Sequence, residues 1–219
     1  RVGSNLMLGN IASMLILGVS RFFVERHWSI ETFGKLSFAL NISNMFMIFI
    51  NSVSIVLYPV LRRSEKGNLP NLYLKVRTIF VPLTLGLLLF FNPIRILLQW
   101  WLPEYKESLF FMGILFPIII YEGRVSLLVN TYLKTIRKEK IILHSNILSL
   151  VVMIVTTLSS IYVFNKINLV VLSITLCLAL RCIIAEIMLA KELRIKVVKE
   201  NAIELMIALG FILSNFYLS

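Results

Sequence analysis

Charge is what this sequence has least of: 15% of its 219 residues are charged, against about 25% in soluble domains. With 58% hydrophobic residues and a mean hydropathy of +0.89, the chain could not hide its apolar surface in water, which excludes a soluble globule. Cysteine and histidine are scarce as well, two of each. On a helix Cys177 and Cys182 would rise about 7.5 Å and point about 140° apart. That exceeds the span of about 7 Å that a disulfide bridges, so both are read as packing residues. His27 and His144 sit near opposite ends of apolar stretches with no cluster at metal-ligand spacing, which gives a metalloenzyme no support. No metal or other cofactor is expected. A phosphate-binding loop is missing too, since Gly34-Lys35 lacks the upstream glycine and is followed by Leu36 where Ser or Thr should hold a metal. There is no Pro/Ser-rich linker, low-complexity tract or loop large enough for a soluble catalytic domain. No signal sequence precedes the first apolar stretch, and residue 1 is Arg, so a piece of a longer chain is expected.

What is present is a series of seven apolar stretches, at residues 3–24, 36–61, 75–98, 108–133, 141–164, 168–190 and 202–218. A bilayer core of about 30 Å takes about 20 apolar residues per spanning helix. None of the stretches alternates with period two, and lipid admits only helices and closed barrels. The expected fold is therefore an all-α, polytopic transmembrane helix bundle of about seven spans, forming one membrane unit. The longest connection is the 62–72 stretch, whose Lys66-Gly67-Asn68 and Pro70 read as a turn.

A net charge of +11 raises nucleic acid as a partner, but the distribution of that charge points to lipid. Arg62, Arg63, Lys66, Lys75 and Arg77 flank the second connection, Lys134, Arg137, Lys138 and Lys140 the fourth, and Lys191, Arg194, Lys196 and Lys199 the sixth. The intervening connections carry only Arg26 and Lys35, Lys106, and Lys166. This alternation is the positive-inside pattern, which puts the amino end and the three basic connections in the cytoplasm and Ser219 outside. Trp28, Trp100 and Trp101 all fall at the outer face, as an interfacial belt requires. The basic connections read as topology signals and anionic-lipid contacts.

Polar groups within spans are where function concentrates, because a central charge costs about 2.5–3.5 kcal/mol on insertion scales. In the first span Gly3, Asn10, Gly18, Arg21 and Glu25 share one narrow arc; in the second, Ser37, Asn41, Asn44, Asn51, Ser52 and Pro59 form another stripe. Lipid would not tolerate these faces, so they should meet protein or a wet cavity. Any one amide could be interhelical glue worth about 0.6–2 kcal/mol, whereas several together suit sugar hydroxyls. In the fourth span Glu122 and Arg124 point about 160° apart, so one can pair across an interface while the other lines a cavity, with Ser126 and Asn130 on the Glu122 side. Arg181 lies mid-span in the sixth with Ser173, Cys177 and Ala185 on its face. Either Arg124 and Arg181 pair with Glu122 or Glu186 and lock helices together, or they give a cationic lumen for an anionic headgroup such as pyrophosphate. Arg21 could serve that lumen or snorkel to the interface.

Arg21-Phe22-Phe23-Val24-Glu25, Phe33-Gly34-Lys35-Leu36-Ser37-Phe38-Ala39-Leu40 and Val56-Leu57-Tyr58-Pro59-Val60-Leu61 resemble the start of the second lobe of Wzx-type polysaccharide flippases, in the multidrug/oligosaccharidyl-lipid/polysaccharide exporter superfamily. Leu102-Pro103-Glu104-Tyr105 and Asn130-Thr131-Tyr132-Leu133-Lys134 are similar to further family features. The resemblance covers most of the first four spans; the last three match in hydropathy only. It implies a two-lobe transporter of twelve or fourteen helices in a bacterial plasma membrane. A first lobe of the same chain would be the missing partner, and the cargo an undecaprenyl-pyrophosphate-linked oligosaccharide. The candidate substrate-binding residues are then Arg124, Arg181, Arg21, Asn10, Asn41, Asn44, Asn51 and Glu122. The alternatives are a cation-coupled multidrug antiporter of the same superfamily, which Glu122 keeps open, and a membrane-embedded glycan polymerase or ligase, which the short outer loops disfavour. A seventh span departs from a six-helix lobe.

Overall fold

A computed structural model describes residues 2–101, 103 and 106–217. Leu102, Glu104 and Tyr105 of the third connection, and Ser219, lie outside the described residues. All seven apolar stretches are helical, and among the described residues there is no strand. The helices are α1 (Val2–His27), α2 (Ile30–Arg63), α3 (Leu69–Leu87), α4 (Phe91–Trp101), α5 (Lys106–Leu115), α6 (Ile118–Arg124), α7 (Thr131–Thr135), α8 (Glu139–Tyr162), α9 (Ile167–Leu193) and α10 (Val198–Tyr217). Five helical stretches are long and apolar enough to cross a membrane: Gly3–His27, Ile30–Arg63, Lys66–Trp101, Glu139–Tyr162 and Ile167–Leu193. Ser108–Leu115 and Ile118–Thr135, bent by 40° at the break between them, make a sixth if taken as one span. The seventh apolar stretch becomes α10, whose first turns carry Lys199, Glu200 and Glu204 and keep it outside that group.

Helix ends depart from the expected spans for identifiable reasons. α2 starts six residues early because Ser29 caps it, its Oγ accepting from the Thr32 N–H at 3.2 Å. Its 34 residues run about 51 Å at 1.5 Å each, well beyond the hydrocarbon core. α3 starts at Leu69 because Pro70 occupies its first turn, where a missing N–H costs nothing. The expected 62–72 loop thus shrinks to Ser64, Glu65 and a 3-10 turn over Lys66–Asn68, and Arg77 moves from a loop flank to the buried face of a helix.

Two kinds of packing build the lobe. α8 lies between α1 and α9, offering a buried stripe of Ser145, Ser149, Met153 and Thr157 at four-residue spacing. Small residues let helix backbones approach where no hydrophobic force drives them together. The Asn146 amide donates to the Gly9 carbonyl at 2.8 Å, Ser20 Oγ lies 3.5 Å from Thr157 Oγ1, and the Cys177 thiol donates to the Ser149 carbonyl at 3.2 Å. The bent fourth span is the hub, touching α2, α3, α9 and α10 with nearly every side chain from Phe111 to Leu133 buried. A Cβ on Gly123 would sit 2.8 Å from Ile50 Cδ1 and 3.3 Å from Phe80 Cζ, so α2 and α3 close directly on this glycine. Trp100 and Trp101 are 83% and 70% exposed, free to occupy an interface.

Candidate functional site

α6 carries two charged side chains in one turn, and the structure sends them to different places. Glu122, half-buried, turns toward α9 and α1: Arg181 Nη1 lies 2.9 Å from its Oε1, and Arg181 Nη2 donates to Ser13 Oγ at 3.1 Å. This triad ties α1, α6 and α9 together. Four and eight residues on, Ser126 and Asn130 continue the same face. The Ser126 hydroxyl donates to Asn51 Oδ1 of α2 at 2.6 Å. Residues Val125–Asn130 form a π turn, and the Ser126 carbonyl accepts from Thr131 Oγ1 at 3.0 Å. Turns of this kind often mark functional sites.

Beneath the triad α1 and α2 diverge, each held by a different neighbour, and leave a cleft of about 520 Å³ floored by the fourth span. Asn51, Ser54, Tyr58, Ser126, Asn130 and Lys134 give it hydrogen-bonding groups, and Leu6 and Ile55 give it apolar walls. Lys134, at the basic end, forms no ion pair among the described residues. The cleft can therefore offer amide and hydroxyl groups to a polyol and one cation to an anion.

Arg124 goes the other way, into a fully buried cluster. Arg77 Nε is 2.8 Å from Glu186 Oε1 and its Nη2 is 2.7 Å from Glu204 Oε1. Arg124 Nη1 contacts Glu204 Oε2 and lies 3.2 Å from Glu186 Oε2. The Tyr73 hydroxyl donates to Glu186 at 2.5 Å, Asn201 Oδ1 accepts from both arginines at 3.2 and 2.7 Å, and Cys182 Sγ accepts from Arg124 Nε at 3.1 Å. Two guanidiniums and two carboxylates balance, as burial in low dielectric demands. Four helices, α3, α6, α9 and α10, meet there.

Of the residues singled out from sequence, the structure places Asn51 in the cleft and joins Glu122 to Arg181 in the triad, one turn before Ser126 on the fourth span. Asn10, Asn41 and Asn44 are exposed on faces of α1 and α2 that no other element of the described lobe covers, and Arg21 is half-buried with an unpartnered Nε. The packing faces are instead Gly9, Ala12, Ile16, Ser20 and Val24 on α1 and Leu36, Ala39, Leu40, Ser43 and Ile50 on α2. Two expectations need correcting. Arg124 reaches no cleft, being 0% exposed, and Arg181 is neutralised by Glu122, so the two do not form an open cationic wall within this lobe. Of the paired alternatives, Glu186 is a partner of Arg124, but so is Glu204. Ser52 needs no cavity, since its hydroxyl donates to the Ile48 carbonyl at 2.9 Å. Sequence reasoning missed Arg77, Glu204, Asn201, Tyr73 and Ser13. The available signal was Glu204, the one carboxylate within an otherwise apolar final stretch, a placement that lipid disfavours without a partner.

A family model described as polysaccharide biosynthesis protein matches residues 1–218. No curated protein and no solved structure matches the chain.

Proposed function

The chain belongs to the polysaccharide biosynthesis protein family, and from that premise we propose that it translocates lipid-linked oligosaccharide repeat units from the inner to the outer leaflet of a bacterial plasma membrane. The observation that carries the reading is the cleft between α1 and α2, where amide, hydroxyl and ammonium groups interrupt a largely apolar lining, in a bundle of membrane-length helices. Amides and hydroxyls at many angles suit a glycan, and Lys134 at the cleft mouth suits the diphosphate of an undecaprenyl-pyrophosphate carrier. Asn10, Asn41 and Asn44, exposed on uncovered faces of α1 and α2, fit a wet surface shared with a second lobe. Glu122, Asn51 and Arg181 then act at the cleft: Asn51 by contact with sugar, Glu122 and Arg181 by fixing its upper wall. Arg21 would meet the headgroup near the outer end.

The antiporter alternative needs a carboxylate free to take a cation. Glu122 is held by Arg181, and Glu186 and Glu204 by Arg77 and Arg124, which favours the glycan reading. A polymerase or ligase gains no support from short outer connections, and no enzymatic step is assigned to the chain. The test is reconstitution: in proteoliposomes carrying an undecaprenyl-pyrophosphate oligosaccharide in one leaflet, the protein should expose the glycan to an impermeant glycosidase on the other. Exposure no faster than in protein-free vesicles would refute the proposal.

A further inference from the structure

The three basic connections, separate in sequence, close over one cavity. The carboxyl end of α2 and the 3-10 turn bring Arg62 and Lys66, the turn between α7 and α8 brings Arg137 and Lys138, and the end of α9 brings Arg194. The space is about 600 Å³, and buried Leu61, Leu69 and Leu193 form its apolar floor. It is separate from the polar cleft, although both lie at the same end of the fourth span.

Two ordinary reasons for basic residues do not account for it. The positive-inside rule asks for Lys and Arg near the cytoplasmic face but not for their convergence in a cavity. Helix carboxyl ends attract cations, but each presents only about half a negative charge. The ends of α2, α7 and α9 therefore balance about one and a half of the cations. Five cations line the space against one carboxylate, Glu192, which Lys138 already holds at 3.0 Å. Arg62, Lys66, Arg137 and Arg194 form no ion pair among the described residues. Arg137 and Arg194 take left-handed backbones, φ 58° and 56°, because they close α7 and α9, where Lys138 N–H donates to the Leu133 carbonyl and Ile195 N–H to the Ala190 carbonyl; these caps turn both side chains to the cavity they line.

We infer that this basin is a binding site for a phosphate or diphosphate group, distinct from the polar cleft and independent of the translocation reading. Arginine forks bind phosphate oxygens in bidentate fashion. The apolar floor suits a phosphate borne on a lipid, and a free phosphate compound would use the same cations.

The test uses the protein in nanodiscs. In phosphatidylcholine discs, equilibrium dialysis with radiolabelled inorganic pyrophosphate measures the free anion; in discs doped with phosphatidylglycerol, native mass spectrometry measures retained anionic lipid. Arg137→Asn/Arg194→Asn removes two charges while keeping a residue type that tolerates the left-handed backbone. Lys196→Gln/Lys199→Gln removes two charges from the same face outside the basin. The basin variant should lose at least about ten-fold in pyrophosphate affinity, in lipid retention, or in both. The control should change less than about two-fold, because Lys196 and Lys199 do not line the basin. Loss of pyrophosphate binding assigns the site to a free phosphate compound, and loss of lipid retention alone assigns it to a headgroup. Should the first variant fold poorly, Arg62→Gln/Lys66→Gln tests the opposite wall by the same readouts. Equal losses in basin and control variants, or no binding of either probe by the unaltered protein, would overturn the inference.

Discussion

Removing Arg124 should unsettle the lobe more than any other single truncation at its charged positions. The side chain is 0% exposed and faces both Glu186 and Glu204. In Arg124→Leu the cluster retains two carboxylates against Arg77 alone, leaving a net buried negative charge. Breaking a buried pair on one side costs about 3–5 kcal/mol, or about two to three and a half orders of magnitude in the folding equilibrium at 1.4 kcal/mol per factor of ten. The geometry supplies its own control. In Arg124→Leu/Glu204→Leu the 2.8 Å Arg77–Glu186 pair survives intact and the site is neutral again, so most of the loss should be recovered, because well-packed apolar replacements of buried ion pairs are often neutral. The assay is membrane abundance together with resistance to proteolysis in detergent for each single variant and for the pair. Arg124→Leu at wild-type abundance, or a double variant worse than the two singles combined, would refute the claim that the cluster is a charge-balanced clasp holding α10 on the bundle.

The Glu122–Arg181 pair should behave likewise but more mildly, since Glu122 is partly exposed: Arg181→Ala lowers abundance, and Glu122→Gln/Arg181→Gln restores it, read by the same proteolysis assay. Gly123→Val, forced against Ile50 and Phe80, should destabilise by about 1–3 kcal/mol through overpacking; a thermal midpoint unchanged from wild type would contradict the close approach of α2 and α3. For topology, cysteines at Asn68 and Lys138 should react with impermeant reagents only from the cytoplasm and one at Glu104 only from outside; Cys177 and Cys182 are buried and should contribute little background. Labelling of Asn68→Cys and Glu104→Cys from the same side would undo the span assignment.

Hydropathy made the bundle legible, and the 160° offset of Glu122 and Arg124 correctly implied that they serve different surfaces. Their partners were harder to see, for a physical reason. Pro70 reads as a turn although it starts a helix, so Arg77 falls among the topology charges of the sequence and on the buried face of α3 in the structure. Glu204 belongs to a segment judged by mean hydropathy, a quantity that averages away the one carboxylate that matters. The fourth span's bend follows from Pro117, which has no N–H to continue the ladder. The basin could not be read at all, because it arises from loops more than 50 residues apart meeting in space.

The polar cleft is the centre of this account, and its walls can be altered without touching either buried ion pair. Asn51→Leu, Asn130→Leu and Lys134→Gln should leave membrane abundance unchanged within about two-fold while surface-glycan export in a flippase-null strain falls at least about ten-fold for the combined variant, since several hydrogen bonds to the cargo are lost together. The control Leu97→Ile, on an exposed position of α4 that does not line the cleft, should export normally. Normal export by the well-expressed triple variant would contradict the assignment of this cleft to the glycan.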